Sequence, residues 1–283
     1  MISWLVKFYD RLQRFWERAA TERGFGLALL WIYLGALCAV ELQRMDLYPT
    51  WLPPVPDTHF FSIQTAFTLI LVLEVISLIF ILPNSLSRSM GKQLEILTMI
   101  LLRNAFKELS LLPEPVSIDM DNLDAVIDIA VSGVGAVCVF LCLGFYRQNV
   151  RHQPFLNNPA LLSSYVQAKK LTAITLLVIF TWLAAKDMWL ALHGAHTNFF
   201  ETIYTVLIFA DIAMVLIAQR YMPCYYAVFR NSGFVIGTLL MRLALSAPPL
   251  LCSGLAVFAG LYVLALTWGT NKFMPSVPQD YSA

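Results

Sequence analysis

The sequence predicts an all-α polytopic membrane protein with about eight transmembrane helices in two pseudo-repeated four-helix units, preceded by an N-terminal amphipathic interfacial helix. Three observations support this: an apolar composition, several long apolar runs, and a repeated acid-then-arginine pattern. Of 283 residues, 59% are hydrophobic and 13% are charged, whereas soluble domains carry about 25% charged residues. Too few polar side chains are available to cover a soluble surface, so the expected solvent is a lipid bilayer.

The first element, at residues 1–24, has the spacing of an amphipathic helix. Its large apolar side chains recur every three or four residues, and its basic side chains lie on the other faces. This pattern is typical of a helix in the membrane interface, with aromatic rings at headgroup depth. A helix that binds a partner protein has the same pattern, so this alternative stays open. A secretory signal is not expected, because no small-residue cleavage site follows a charged start.

Six apolar runs follow that approach or exceed the length needed to cross about 30 Å of hydrocarbon at about 1.5 Å per residue. They are residues 25–42, 60–82, 124–146, 171–192, 199–218 and 250–268. Two further segments, 91–111 and 232–246, are ambiguous because they carry Arg103 and Arg242 within otherwise apolar stretches. Each could cross the membrane or lie flat on its surface, and with both flat the chain has six spans.

The distribution of basic residues favours crossing. With eight spans and a cytoplasmic N-terminus, fourteen of the nineteen Lys and Arg residues fall on the cytoplasmic side, as the positive-inside rule requires. If 91–111 lay flat, the basic segment 147–170 would be outside. The predicted order after the interfacial helix is a first four-helix unit, a basic cytoplasmic linker, a second four-helix unit and a cytoplasmic tail. Their bounds are 25–147, 148–167, 168–270 and 271–283.

An internal repeat joins the two units. Residues 96–103 read ILTMILLR and residues 235–242 read VIGTLLMR. Glu74 precedes Arg103 by 29 residues, and Asp211 precedes Arg242 by 31. Repeats of this kind are typical of duplicated transporter and channel folds. Four helices per unit would give the two halves a parallel topology.

The charges of these repeats form the candidate site. A charge in hydrocarbon costs at least about 2.5–3.5 kcal/mol and therefore faces a partner or water. Similar depths along the helices lead us to hypothesise two intramembrane ion pairs, Glu74–Arg103 and Asp211–Arg242. Helical spacing also predicts a polar stripe in each half. Its members are Arg88, Lys92 and Glu95 before Arg103, and Asn231 and Thr238 before Arg242. The pairs could be structural links between helices, or parts of an ion or proton path.

The functional expectation is an ion or proton channel or a secondary transporter. The alternative is a non-transporting structural or accessory subunit of a membrane complex, and a membrane enzyme is a third reading that no catalytic motif supports. We expect no cofactor, no nucleic acid partner and no disulfide framework. The expected partners are the bilayer and either a second copy or other membrane subunits. A metal site is not expected, and its only candidates are His59, His193 and His196 at span ends.

Overall fold

The computed structural model describes residues 2–45, 58–81, 83, 86–109, 123–150, 159–192, 199–221 and 224–273. These residues form nine α-helices. They are α1 (Ile2–Trp16), α2 (Ala19–Arg44), α3 (Phe60–Ile81), α4 (Leu86–Leu109), α5 (Leu123–Asn149), α6 (Pro159–Leu192), α7 (Phe199–Tyr221), α8 (Tyr225–Ser246) and α9 (Pro249–Phe273). The all-α prediction is therefore confirmed for the described part of the chain.

Seven of these helices are long and apolar enough to cross a membrane, namely α2, α3, α5, α6, α7, α8 and α9. The ambiguous segment 232–246 belongs to α8, which has 22 residues and meets this criterion. The other ambiguous segment lies in α4, whose 24 residues span about 36 Å. Its length is sufficient, but its composition is too polar for α4 to count among the seven.

Several helices extend beyond the apolar runs that predicted them. The helix α6 begins at Pro159, so part of the predicted linker 148–167 is helical. The helix α2 begins at Ala19, inside the segment predicted as 1–24. Proline suits the first turn of a helix because the missing N–H has no intrahelical acceptor there, and α6 and α9 both begin at one. Polar flanks can therefore continue a helix past the apolar run that marks its centre.

The main core lies among α4, α5, α8 and α9. An added Cβ at Gly135 would lie 2.9 Å from the Cβ of Ser253, and one at Gly260 would lie 3.2 Å from that of Cys142. Both contacts join α5 to α9 with the same residue offset of 118 (253 − 135 and 260 − 142), so these two helices run in the same direction. Small residues let helix backbones approach closely, as in membrane bundles generally.

The helix α4 lies inside the bundle and contributes to two cores. One apolar face packs against α5, α8 and α9 through Met90, Leu94, Leu97 and Leu101. Ile96 and Ile100 face a second core formed with α3, α6 and α7. The helix runs antiparallel to α5. The Tyr146 hydroxyl near the end of α5 donates to the carbonyl oxygen of Ser87 at the start of α4, at 2.6 Å, while Cys142 and Leu94, each farther from those ends, both lie against Gly260.

The helix α1 packs on the end of α3 and on α6. Tyr9 is buried and its hydroxyl donates to the carbonyl oxygen of Phe80 at 3.1 Å. Burial raises the pKa of the Tyr9 hydroxyl above its usual value. The indole of Trp16 donates to the hydroxyl of Ser77, and Lys170 of α6 pairs with Asp10 at 2.7 Å. These contacts hold α1 against the bundle through one face.

Candidate functional site

The acid and the arginine predicted to pair in the second half lie together between α7 and α8. The Nε atom of Arg242 is 3.7 Å from Oδ2 of Asp211. Both side chains are buried, with 3% and 5% of their residue surface exposed. These two atoms form no hydrogen bond, so the contact is an ion pair held by charge rather than by a directional bond.

The predicted ion pair of the first half, Glu74–Arg103, does not form among the described residues. No ion pair of 4.0 Å or less joins Glu74 to Arg103 in the described part of the chain, although both carry buried polar atoms without a hydrogen bond. Arg103 donates instead to the side-chain oxygen of its neighbour Asn104, at 3.2 Å. The cations that act electrostatically on Glu74 are Arg103 and Lys92. Glu74 is therefore within electrostatic range of two cations of α4, and among the described residues it forms no ion pair with either.

Tyr204 brings the two halves into one cluster. It is buried in α7, close enough to Glu74, Arg103 and Arg242 for their charges to act on its hydroxyl group. It lies seven residues before Asp211, which places both on one face of α7. We call Glu74, Arg103, Tyr204, Asp211 and Arg242 the central charge cluster. Sequence reasoning missed Tyr204 because it lies in an apolar run, and its i, i+7 spacing from Asp211 is the signal that could have found it.

The polar stripe of α4 faces outward into a groove. Arg88 is exposed, and Lys92 and Glu95 are partly exposed. Glu95 binds two cations, Lys92 of its own helix and Arg147 of α5, each at 2.6 Å. We call this surface of α4, from Arg88 to Lys107 and flanked by α3 and α5, the α4 groove.

Two cavities lie along the α4 groove. The near cavity, of about 270 Å³, is lined by Ile81, Ser87, Arg88, Gly91, Lys92, Glu95, Tyr146, Arg147 and Val150. The far cavity, of about 200 Å³, is lined by Ile63, Gln64, Phe67, Thr68, Arg103, Phe106 and Lys107. Glu74 is six residues from Thr68 and seven from Ile81 along α3, so it lies roughly 10 Å from the level of each cavity.

The polar stripe of the second half is buried instead. Asn231 and Thr238 are each 3% exposed, and the Thr238 hydroxyl donates to the carbonyl oxygen of Val235 at 2.8 Å. A cavity of about 200 Å³ touches Asp211 and Thr238, but its remaining lining is aliphatic: Ile208, Ile212, Val235, Ile236 and Leu239. This cavity beside the second stripe is therefore much less polar than the α4 groove.

The histidine candidates do not assemble a metal site among the described residues. His59 binds Glu41, with Nε2 at 2.5 Å from the carboxylate oxygen, and lies 3.1 Å from a guanidinium nitrogen of Arg44. His193 and His196 lie outside the described residues. Within those residues, no three His, Cys, Asp or Glu side chains are grouped to hold a metal ion.

The fold and its charges indicate a multi-pass α-helical membrane protein with ionisable groups among its membrane-length helices. Comparisons of the chain with protein-family models, curated proteins and solved structures found no match. The functional argument therefore rests on the central charge cluster and the α4 groove.

Proposed function

We propose that this protein is a channel or secondary transporter that moves protons or small ions along the α4 groove, with Glu74 as the central relay. The observation that carries this proposal is the position of Glu74. Along α3 it lies between the levels of the near and far cavities, and among the described residues its carboxyl group forms no ion pair. Ionisable residues within membrane spans mark ion or proton pathways in many transporters.

The difference between the two acids supports Glu74 over Asp211 as the relay. Protonation of Asp211 would remove the charge that compensates buried Arg242, 3.7 Å away. Protonation of Glu74 breaks no direct salt bridge, while Lys92 and Arg103 can stabilise its charged form from a distance. A carboxyl group that can gain and lose its proton without disrupting packing suits a relay.

The proposed topology has eight crossings, made by the seven membrane-length helices together with α4. Both termini lie in the cytoplasm. Support comes from the antiparallel packing of α4 on α5, which is a membrane-length helix. A helix of about 36 Å that packs antiparallel on such a neighbour does not lie flat on the membrane surface. Under this topology α1 lies in the interface, where its exposed Trp4, Phe8 and Phe15 meet lipid.

The proposed duplication is supported by the contacts between corresponding helices. In a parallel repeat, α4 corresponds to α8 and α5 to α9, and both pairs are in contact. The constant offset between α5 and α9 is what two helices of the same orientation would give. A duplicated membrane fold with ionisable residues at the repeat interface is a common architecture of transporters.

A non-transporting structural or accessory subunit is the alternative, and α2 favours it. Only 6% of the most apolar stretch of α2 is buried by the rest of the chain. The helix α2 packs chiefly on α3. Its remaining surface is therefore available to lipid, to a second copy or to another membrane subunit. Under this alternative, the central charge cluster fixes helix positions and conducts nothing.

Proton flux into liposomes tests the proposal. Purified protein is reconstituted in vesicles containing a pH-sensitive dye, and an imposed potassium diffusion potential drives proton entry. We expect flux from the wild type and at least a tenfold loss of flux for Glu74→Gln. This threshold lies below the roughly 10²–10⁴-fold contribution of a positioned proton-transfer group. The control Glu22→Gln removes an exposed acid of α2 and should keep full flux.

Two results would contradict the transport proposal. Wild-type protein that matches empty vesicles for protons, sodium, potassium and chloride would remove the transport proposal and leave the structural one. Equal flux from Glu74→Gln and wild type would show that Glu74 is not the relay. Folded yield is measured by size-exclusion chromatography for every variant, so a flux loss is read only from correctly folded protein.

A further inference from the structure

The near cavity concentrates positive charge at one end of the bundle. Its ionised lining consists of three cations, Arg88, Lys92 and Arg147, and one acid, Glu95. The formal sum is therefore +2 (three positive charges minus one). The cations come from the beginning of α4 and the end of α5, so the cavity lies where the helices emerge from the apolar part of the bundle.

The cavity is held in shape by contacts that do not depend on a ligand. Glu95 binds Lys92 through one carboxylate oxygen and Arg147 through the other, each at 2.6 Å. The Tyr146 hydroxyl bonds to the carbonyl oxygen of Ser87 and joins the two helix ends. Ser87 and Arg88 lie in the first turn of α4, where backbone N–H groups have no intrahelical acceptor. A helix start of this kind attracts phosphate groups.

Exposed apolar residues continue from the cavity toward the middle of the bundle on α4 and α5, and we call this surface the trough. On α5, Gly144 and Phe140 lie three and seven residues before Arg147, on the same face, and both are exposed. Apart from its chain neighbours and the backbone of its own helix, no described atom lies within 4 Å of where a Cβ of Gly144 would be. On α4, Met99 lies seven residues after Lys92 on its face and is 52% exposed. A charged end and an apolar continuation match the two parts of a phospholipid.

We propose that the near cavity is a binding site for the phosphate group of an anionic phospholipid, with an acyl chain in the trough over Gly144. Arg147 and Lys92 contact the phosphate oxygens, and Arg88 adds charge at the helix start. Guanidinium and ammonium groups bind phosphate by charge-assisted hydrogen bonds. Inorganic phosphate shares this chemistry but leaves the trough empty. The site goes beyond the proposed transport and does not require it.

Native mass spectrometry of the full chain tests this site. The protein is purified in detergent and exposed to equal amounts of phosphatidylglycerol or phosphatidylcholine, and the retained lipid is counted. We expect phosphatidylglycerol to be retained preferentially. Arg147→Gln should lower this retention about fivefold, the effect of one basic residue near an anionic surface. Arg147→Lys should keep most of it, because the charge remains.

The matched control is Lys272→Gln. Lys272 is near the end of α9, at the same end of the bundle, since Asn271 bonds to the carbonyl oxygen of Asn149. It does not line the near cavity. Equal losses for Lys272→Gln and Arg147→Gln would reduce the effect to general surface charge and overturn the site. Equal retention of the two lipids by wild type would also overturn it.

A second arm separates lipid from free anion. Inorganic phosphate is titrated against the same protein, and thermal unfolding is followed. Under the proposal, phosphate at millimolar concentration leaves lipid preference unchanged and gives no Arg147-dependent stabilisation. Stabilisation that is lost in Arg147→Gln, without any preference for phosphatidylglycerol, would assign the cavity to a free anion and overturn the lipid assignment.

Discussion

The helix pair α3–α4 and the helix pair α7–α8 carry the same charges in the same order, but only one pair of charges is in contact. Asp211 and Arg242 are buried together, 3.7 Å apart. Glu74 and Arg103 are separated, and the helix that carries Arg103 presents a charged groove. Since the local motifs are alike, the difference must come from the residues around them.

Small residues on α8 explain why the acid and the arginine of the second half are buried together. The aligned repeat places Asn231 where α4 has Lys92, and Gly237 where α4 has Thr98. An added Cβ at Gly237 would lie 2.7 Å from a methyl group of Val263, so α9 packs closely on this side of α8. Lys92, the cation that α4 has in place of Asn231, is too long and too hydrated to be covered in this way. The packing of neighbouring helices therefore determines whether the same motif forms a buried ion pair or lines an open groove.

The largest effect should follow from opening the buried pair. Arg242→Gln leaves Asp211 as an uncompensated buried charge, a change that costs about 3–5 kcal/mol. The double change with Asp211→Asn should recover at least half of this, because no charge then remains unpaired. Folded yield and denaturant unfolding in detergent measure both variants.

The first half supplies the control for that experiment. Glu74→Gln breaks no ion pair of 4.0 Å or less and should lower stability by about 1 kcal/mol or less, the size of one neutral hydrogen-bond change. If Glu74→Gln and Arg242→Gln destabilised the protein equally, the contrast between the two halves would be lost.

A smaller effect should follow from disturbing the seam between α8 and α9. Gly237→Val places a branched side chain against Val263 and Met90, whose atoms lie 2.7 and 3.2 Å from the added Cβ. Overpacking of this kind costs about 1–3 kcal/mol. Thermal unfolding in detergent measures the loss.

Gly254→Val is the matched control for the seam. Apart from its chain neighbours and the backbone of α9, no described atom lies within 4 Å of a Cβ added at Gly254. Valine also has a higher helix propensity than glycine. We therefore expect no loss of stability from this change. A control as unstable as Gly237→Val would mean that close packing at the seam is not what buries the second stripe.

The sequence allowed helix positions and depths to be predicted, but not the rotation of each helix. Apolar length found six of the seven membrane-length helices, apart from their polar ends. The seventh, α8, contains the ambiguous segment 232–246, whose crossing was favoured by the distribution of basic residues. Residue counting placed Glu74 and Arg103 at similar depths, yet depth does not determine which way a side chain points. Tyr204 was missed because it lies in an apolar run. Its spacing from Asp211 is a local signal, but its proximity to charges of α3, α4 and α8 is not. These are tertiary contacts, and no local pattern encodes them.

The smallest effect should follow from breaking an ion pair in the α4 groove. Lys92→Gln removes the contact with Glu95, but both side chains are more than a third exposed, and exposed pairs contribute about 0.2–1 kcal/mol. Arg147 remains bound to the other oxygen of Glu95, so the carboxylate keeps a partner. Unfolding at low and at high salt measures the difference, and added salt should shrink it further because water reaches the groove. A loss near that of Arg242→Gln, independent of salt, would mean that the stripe of α4 is enclosed. The two halves would then be alike, and the open groove on which the transport proposal depends would not exist.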